Sequence, residues 1–131
     1  MDLRNFRNAN WFRGHTYVYA NLIRRQFDIW RGRPFIYNTE LCLDFACNFH
    51  CLHCSVAKLQ HGQGAHSMTF SDVEKVANQL RSLHCFSCCL MGGEPTMRKD
   101  FFDIVEVFRK RHILPTLITN GYYLDTSYIA K

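Results

Sequence analysis

Three cysteines fall within eight residues, Cys47-Asn48-Phe49-His50-Cys51-Leu52-His53-Cys54, separated by three residues and then by two. If the three serve one centre, their segment is a tight loop that wraps one side of it and leaves the other open. Three thiolates at this spacing suit three corners of an iron–sulfur cube, whose fourth iron then has no protein ligand. A zinc site is the rival reading, drawing His50 and His53 in with Cys47, Cys51 and Cys54. Disulfides are not expected. The chain has seven cysteines, an odd number, and its start, Met1-Asp2-Leu3-Arg4-Asn5-Phe6, lacks an apolar signal segment. A reducing, cytoplasmic setting fits this usage, and no apolar run is long enough for a membrane span.

The sequence around the cysteines alternates strand and helix. Phe35 to Phe45 reads as a strand leading straight into the cysteine loop. A loop rich in Gly, Gln and His follows over 59–70, holding His61 and His66, both expected to face solvent. Ser71 with Glu74 three places on has the form of a capping box, and Val73, Val76, Ala77 and Leu80 give the buried face of a helix over 72–83. Phe86 to Met91 is a second strand, ending in Gly92-Gly93-Glu94-Pro95. A further helix follows Pro95 and Thr96, with Phe101, Phe102, Ile104, Val105 and Phe108 apolar and Arg109, Lys110 and Arg111 at its end, where cations suit the helix dipole. Leu114 to Thr119 is a third strand, closed by Asn120-Gly121; Tyr122 to Lys131 begins another loop and helical turn. The order is βαβαβ, and its short apolar strands predict a parallel sheet.

Charge divides the chain. Residues 1–35 hold seven arginines against two acids, whereas 36–131 hold nine bases and nine acids. The first segment reads as an irregular leader over 1–14 and one helix over 16–30, striped by Tyr19, Leu22, Ile23, Phe27 and Trp30. A packing face with a solvated basic side is favoured there over a nucleic-acid surface. The expected domains are therefore a basic N-terminal extension, 1–35, and a core, 36–131.

The cysteine run, the strand ending in Gly92-Gly93-Glu94-Pro95 and the strand ending in Ile118-Thr119-Asn120-Gly121 together resemble the radical S-adenosylmethionine (SAM) superfamily over about residues 36–125. The resemblance implies an α/β fold, a partial (β/α) barrel with its site at the C-terminal ends of the strands. Residues 36–131 would be its first three β/α units, the N-terminal half of the core. It implies that Cys47, Cys51 and Cys54 ligate a [4Fe–4S] cluster. S-adenosyl-L-methionine would chelate the fourth iron through its amino and carboxylate groups, beside Gly92, Gly93, Glu94 and Pro95. His53 stands where the family commonly has an aromatic residue against the adenine, and Asn120 is placed near the cofactor. Glu94 contacts the cofactor's ammonium or anchors its own turn. Phe49 and Leu52 would wall the cluster from solvent.

The implied chemistry is reductive. A low-potential donor such as a flavodoxin or ferredoxin supplies an electron, S-adenosylmethionine is cleaved, and the 5′-deoxyadenosyl radical abstracts hydrogen from a substrate, a peptide or small metabolite. Only three of the usual six strands are visible, so the alternative is a truncated, non-catalytic metal-binding or interaction module. Cys42, Cys85, Cys88 and Cys89 are expected to be inert core thiols, because neighbours on a strand face opposite ways and do not converge on a metal.

Overall fold

A computed structural model describes residues 16–55 and 67–129. The leader, His61 and His66 lie outside the described residues. The chain divides into two compact units, 1–35 and 36–131.

In the first unit, helix α1 spans Thr16–Trp30. Its apolar stripe is exposed: Ile23 is 62% and Trp30 79% accessible, and Tyr19, Leu22 and Phe27 each exceed 40%. Among its described residues, the helix buries Asp28. The Arg25 guanidinium lies over the Phe35 ring, 5.1 Å from its centroid. No helix among the described residues is long and apolar enough to cross a membrane.

The second unit is built on a three-stranded parallel sheet in the order β1 (Asn38–Cys42), β2 (Ser87–Met91), β3 (Leu114–Leu117). Asn38 pairs with Ser87 and Ser87 with Leu114, so the three strands start level; β1 and β2 end level at Cys42 and Met91, and β3 ends one residue earlier. Helix α2 (Phe70–Ser82) connects β1 to β2, and α3 (Phe101–Lys110) connects β2 to β3. A short α4 (Thr126–Ile129) follows. This is the expected βαβαβ order. The centre strand β2 is buried along Ser87–Leu90. The core gathers Leu43, Val73, Ala77, Leu80, Cys88, Leu90, Phe101, Ile104, Phe108 and Ile113. Burying such side chains is the main favourable term for a unit this small.

The caps differ in detail from the sequence reading. Thr69, not Ser71, caps α2. Thr69 is extended, its hydroxyl accepts the Asp72 N–H, and the Asp72 carboxylate accepts the Thr69 N–H. The helix accordingly begins at Phe70. After Pro95 the chain makes only a 3-10 turn, Pro95–Met97, before α3 starts at Phe101. At the other ends, α2 and α3 close alike. His84 and His112 have positive φ (54° and 59°), while Cys85 N–H donates to Leu80 and Ile113 N–H to Phe108. Both are left-handed helix stops of the kind glycine usually makes, and each turns the chain directly into the next strand.

Cys85, Cys88 and Cys89 are buried and free. Burial, with Cys85 and Cys89 adjacent, pushes the Cys88 thiol up to about 12, so it stays protonated and inert at neutral pH. Cys42 corrects the expectation of a core residue. It is only half-buried and donates to the Asp44 carbonyl.

Candidate functional site

Because the strands are parallel and level, the segments that leave their C-terminal ends meet on one edge of the sheet. The cysteine loop leaves β1, Gly92–Pro95 leaves β2, and Ile118–Gly121 leaves β3. Backbone hydrogen bonds continue the β1–β2 pairing past the strands. Leu43 N–H donates to Met91 O (2.9 Å), Gly93 N–H to Asp44 O (3.0 Å) and Glu94 N–H to Ala46 O (2.7 Å). The lead-in to Cys47 is thereby stitched to the glycine motif.

This contact accounts for both glycines. A Cβ on Gly92 would lie 2.2 Å from Asp44 O, and one on Gly93 would lie 2.1 Å from Ala46 O. Gly92 also has φ +145°, a conformation that residues with side chains rarely adopt. The crowding partner is thus the chain's own backbone.

Glu94 is fully buried. Its Oε1 accepts the Thr96 N–H (3.1 Å), the Thr96 hydroxyl and the Thr119 hydroxyl (2.7 Å), and its Oε2 accepts the Asn120 N–H (2.7 Å). Burial alone would raise its pKa. The hydrogen bonds from Thr96, Asn120 and Thr119 outweigh burial and hold the carboxyl below the ordinary value of 4.5. Glu94 therefore caps the 3-10 turn and joins the end of β2 to the end of β3. Thr119 also accepts the Gly121 N–H (3.0 Å), so its hydroxyl is used twice.

Asn120 carries the network to the cysteines. Its Nδ2 donates to Asn48 Oδ1 (2.9 Å) and lies 3.9 Å from Cys47 Sγ, and its Oδ1 accepts the Tyr122 N–H (3.0 Å). The loop itself is irregular, with one tight turn in which Cys54 N–H donates to Cys51 O (3.1 Å). Cys51 is exposed, and Cys47 and Cys54 are half-buried; all three are free thiols. Among the described residues, no group of three or more His, Cys, Asp or Glu side chains is disposed to hold a metal ion. Pro95 is buried beside Glu94, and His53 is exposed on the Cys51–Cys54 turn. Phe49 packs edge-on against Tyr122, 5.8 Å between centroids. Leu52 is fully exposed.

One residue of this region is not singled out by the sequence. Arg98 pairs with Asp44 (3.6 Å) and Asp100 (2.7 Å), and donates to Met68 O (2.9 Å), Ser67 Oγ (3.1 Å) and Leu43 O (3.4 Å). It fastens the foot of the cysteine loop to the segment that opens α2. Burial, opposed by Arg98, leaves the Asp44 carboxyl above its ordinary range, while the hydrogen bond from Arg98 lowers that of Asp100. The only sequence signal for Arg98 is its position three residues past Pro95, and its partners lie up to 55 residues away.

Comparison with known proteins decides the family. Residues 45–131 match the Radical SAM superfamily. The chain belongs to the radical SAM superfamily. It is similar to the GTP 3′,8-cyclase of Photorhabdus laumondii subsp. laumondii, 38% identical over 106 residues, covering 76% of this chain and 31% of that protein. It is also similar to the mycofactocin maturase MftC of Mycobacterium ulcerans, 27% identical over 89 residues, covering 68% of this chain and 24% of that protein. Among solved structures it resembles native anSMEcpe with bound AdoMet and Cp18Cys peptide, with a TM-score of 0.56 and 26% identity over 72% of this chain and 27% of that one. The chain spans less than a third of the length of these relatives. Its three parallel β/α units are consistent with part of a radical SAM barrel, and the cysteine loop, glycine motif and β3 end occupy one edge of it.

Proposed function

We propose that residues 36–131 form the N-terminal half of a radical SAM core that binds a [4Fe–4S] cluster through Cys47, Cys51 and Cys54. S-adenosyl-L-methionine then binds beside Gly92–Pro95. The donor chemistry suits the group, since three free thiols lie on one loop and Cys51 is open to solvent, although the three are not gathered into a metal-binding arrangement among the described residues. Three thiolates leave one iron for the cofactor's amino and carboxylate groups. The observation that carries this reading is the hydrogen-bonded junction of the cysteine loop, Gly92–Pro95 and Thr119–Asn120 on one sheet edge. Parallel α/β folds put their ligands at that edge.

When bound, the cluster supplies the electron that cleaves S-adenosylmethionine to a 5′-deoxyadenosyl radical. This chain's residues do the holding. Gly92 and Gly93 let the backbone of 44–46 pass close to the glycine motif, Glu94 fixes the turn, and His53 would meet the adenine. The electron donor is a low-potential protein of the flavodoxin or ferredoxin type. The relatives' names mention GTP and a peptide, so the substrate class is a small metabolite or a peptide. Residues 1–35 are a basic extension to this core.

The alternative, a metal-binding or interaction module without turnover, shares the cluster but releases no 5′-deoxyadenosine. The test is anaerobic reconstitution with iron and sulfide, then EPR of the reduced protein with and without S-adenosylmethionine. A cluster signal that changes on adding the cofactor supports the proposal. A signal indifferent to it removes the cofactor half. Chromatography of 5′-deoxyadenosine from the same sample separates enzyme from module.

A further inference from the structure

The three thiols of the cysteine loop do not have equal surroundings. Cys47 Sγ accepts the Phe49 backbone N–H at 3.4 Å and has Asn120 Nδ2 at 3.9 Å, a contact that the large radius of sulfur allows. Among the described residues, no donor reaches the sulfur of Cys51 or Cys54. The donor on Cys47 is also held firmly. Asn120 Nδ2 is anchored on Asn48 Oδ1, its Oδ1 accepts the Tyr122 N–H, and its backbone N–H rests on the buried Glu94 carboxylate. The side-chain amide is thus held at both its nitrogen and its oxygen, and the backbone that carries it is held by Glu94.

Hydrogen bonds onto cluster sulfurs stabilise the charge that reduction adds, and so raise the potential. Groups that orient a ligand tune the metal it holds. We propose that Asn120 is a positioning residue for Cys47: it fixes the first thiolate of the loop and raises the reduction potential of the cluster held there, and the buried Glu94 acts on that thiolate through Asn120. This rests on the cluster reading above. It gives Glu94 and Asn120 a part different from the cofactor contact that the family resemblance implies.

The test uses the full chain, reconstituted anaerobically; potential and iron release are read without S-adenosylmethionine, and the EPR response is then read on adding it. The midpoint potential is read by EPR-monitored redox titration, and cluster retention by the rate of iron loss to a chelator. Asn120→Ala should move the midpoint to more negative values and release iron roughly tenfold faster. Asn120→Leu keeps the volume without a donor and should shift the midpoint the same way, which separates loss of the hydrogen bond from a packing defect. Glu94→Gln should give a smaller shift of the same sign. Glu94→Gln with Asn120→Ala should shift no further than Asn120→Ala alone, because residues acting through one contact are not additive.

The proposal is overturned if both Asn120 variants keep the wild-type midpoint and iron release; loss of the EPR response to S-adenosylmethionine in those same variants would show that Asn120 serves the cofactor instead. It also fails if the two shifts add. Failure of the underlying cluster reading looks different: the wild-type chain itself would take up no cluster.

Discussion

The carboxylate of Glu94, just past the end of β2, accepts the backbone N–H of Asn120, just past the end of β3, at 2.7 Å. Through this bond two strand ends become one platform, and the Asn120 side chain then reaches Asn48 in the loop after β1. A buried carboxylate and one amide thus link three segments separated by tens of residues, beside the backbone hydrogen bonds that join the first two.

Stability should depend on Glu94 and on its ionisation. Glu94→Ala leaves the N–H and hydroxyl donors of Thr96, Thr119 and Asn120 without their acceptor, at a cost of about 3 kcal/mol. The folded carboxyl sits below its ordinary value of 4.5. Its contribution is therefore fully present above that value and is lost as pH falls through the lower folded one. Asp44 has the opposite sign: its raised pKa favours the protonated form, so its contribution is lost as pH rises through the folded value. Urea denaturation from pH 7 down to pH 3 should show falling stability for the wild type and a flatter acid limb for Glu94→Gln.

Substituting the glycines should damage the cysteine loop first. A Cβ on Gly93 meets the carbonyl of Ala46, whose residue adjoins Cys47. Gly93→Ala should cost about 2 kcal/mol and lower the iron retained after reconstitution. Retention of iron at the wild-type level, with only the cofactor response lost, would place the crowding at the ligand instead.

Arg98 should matter as much as any residue of the motifs. Arg98→Met leaves the Asp44 carboxylate, whose side chain is 13% accessible, without its cation. Breaking a largely buried pair this way costs about 3 kcal/mol. Arg98→Lys should recover only part, because one ammonium cannot reach Asp44, Asp100 and two carbonyls together. Thermal denaturation of the three proteins orders them.

Thiol labelling should separate the two cysteine groups. Iodoacetamide at pH 8 should modify Cys51 rapidly in the native apo chain, because it is exposed. It should leave Cys88, pushed up to about 12 and fully buried, unmodified until the chain unfolds. Peptide mapping by mass spectrometry reads the outcome.

Much of the fold was legible because it is local. Apolar runs at Phe86–Met91 and Leu114–Thr119, with a helical period between them, require strand, helix and strand before any tertiary contact is known. The α2 cap differs from the sequence reading because two boxes compete within six residues, Thr69 with Asp72 and Ser71 with Glu74. The extended backbone of Thr69 (φ −73°, ψ 159°) decides between them. The stripe on α1 has a clear helical period, yet its residues are exposed, since period alone does not say what covers a face. The cysteines and glycines announce themselves by spacing. The distant partners of Glu94 and Arg98 do not, because they lie 25 to 55 residues away and meet only when the parallel strands bring their C-terminal ends together.

The central claim is that Cys47, Cys51 and Cys54 hold one cluster on this sheet edge. Iron and sulfide analysis after anaerobic reconstitution tests it directly, comparing the wild type with Cys47→Ala, Cys51→Ala, Cys54→Ala and Cys88→Ala. The account predicts about four irons and four sulfides per chain for the wild type and for Cys88→Ala, and loss of both in the other three. A cluster that survives Cys51→Ala and disappears in Cys88→Ala would contradict it.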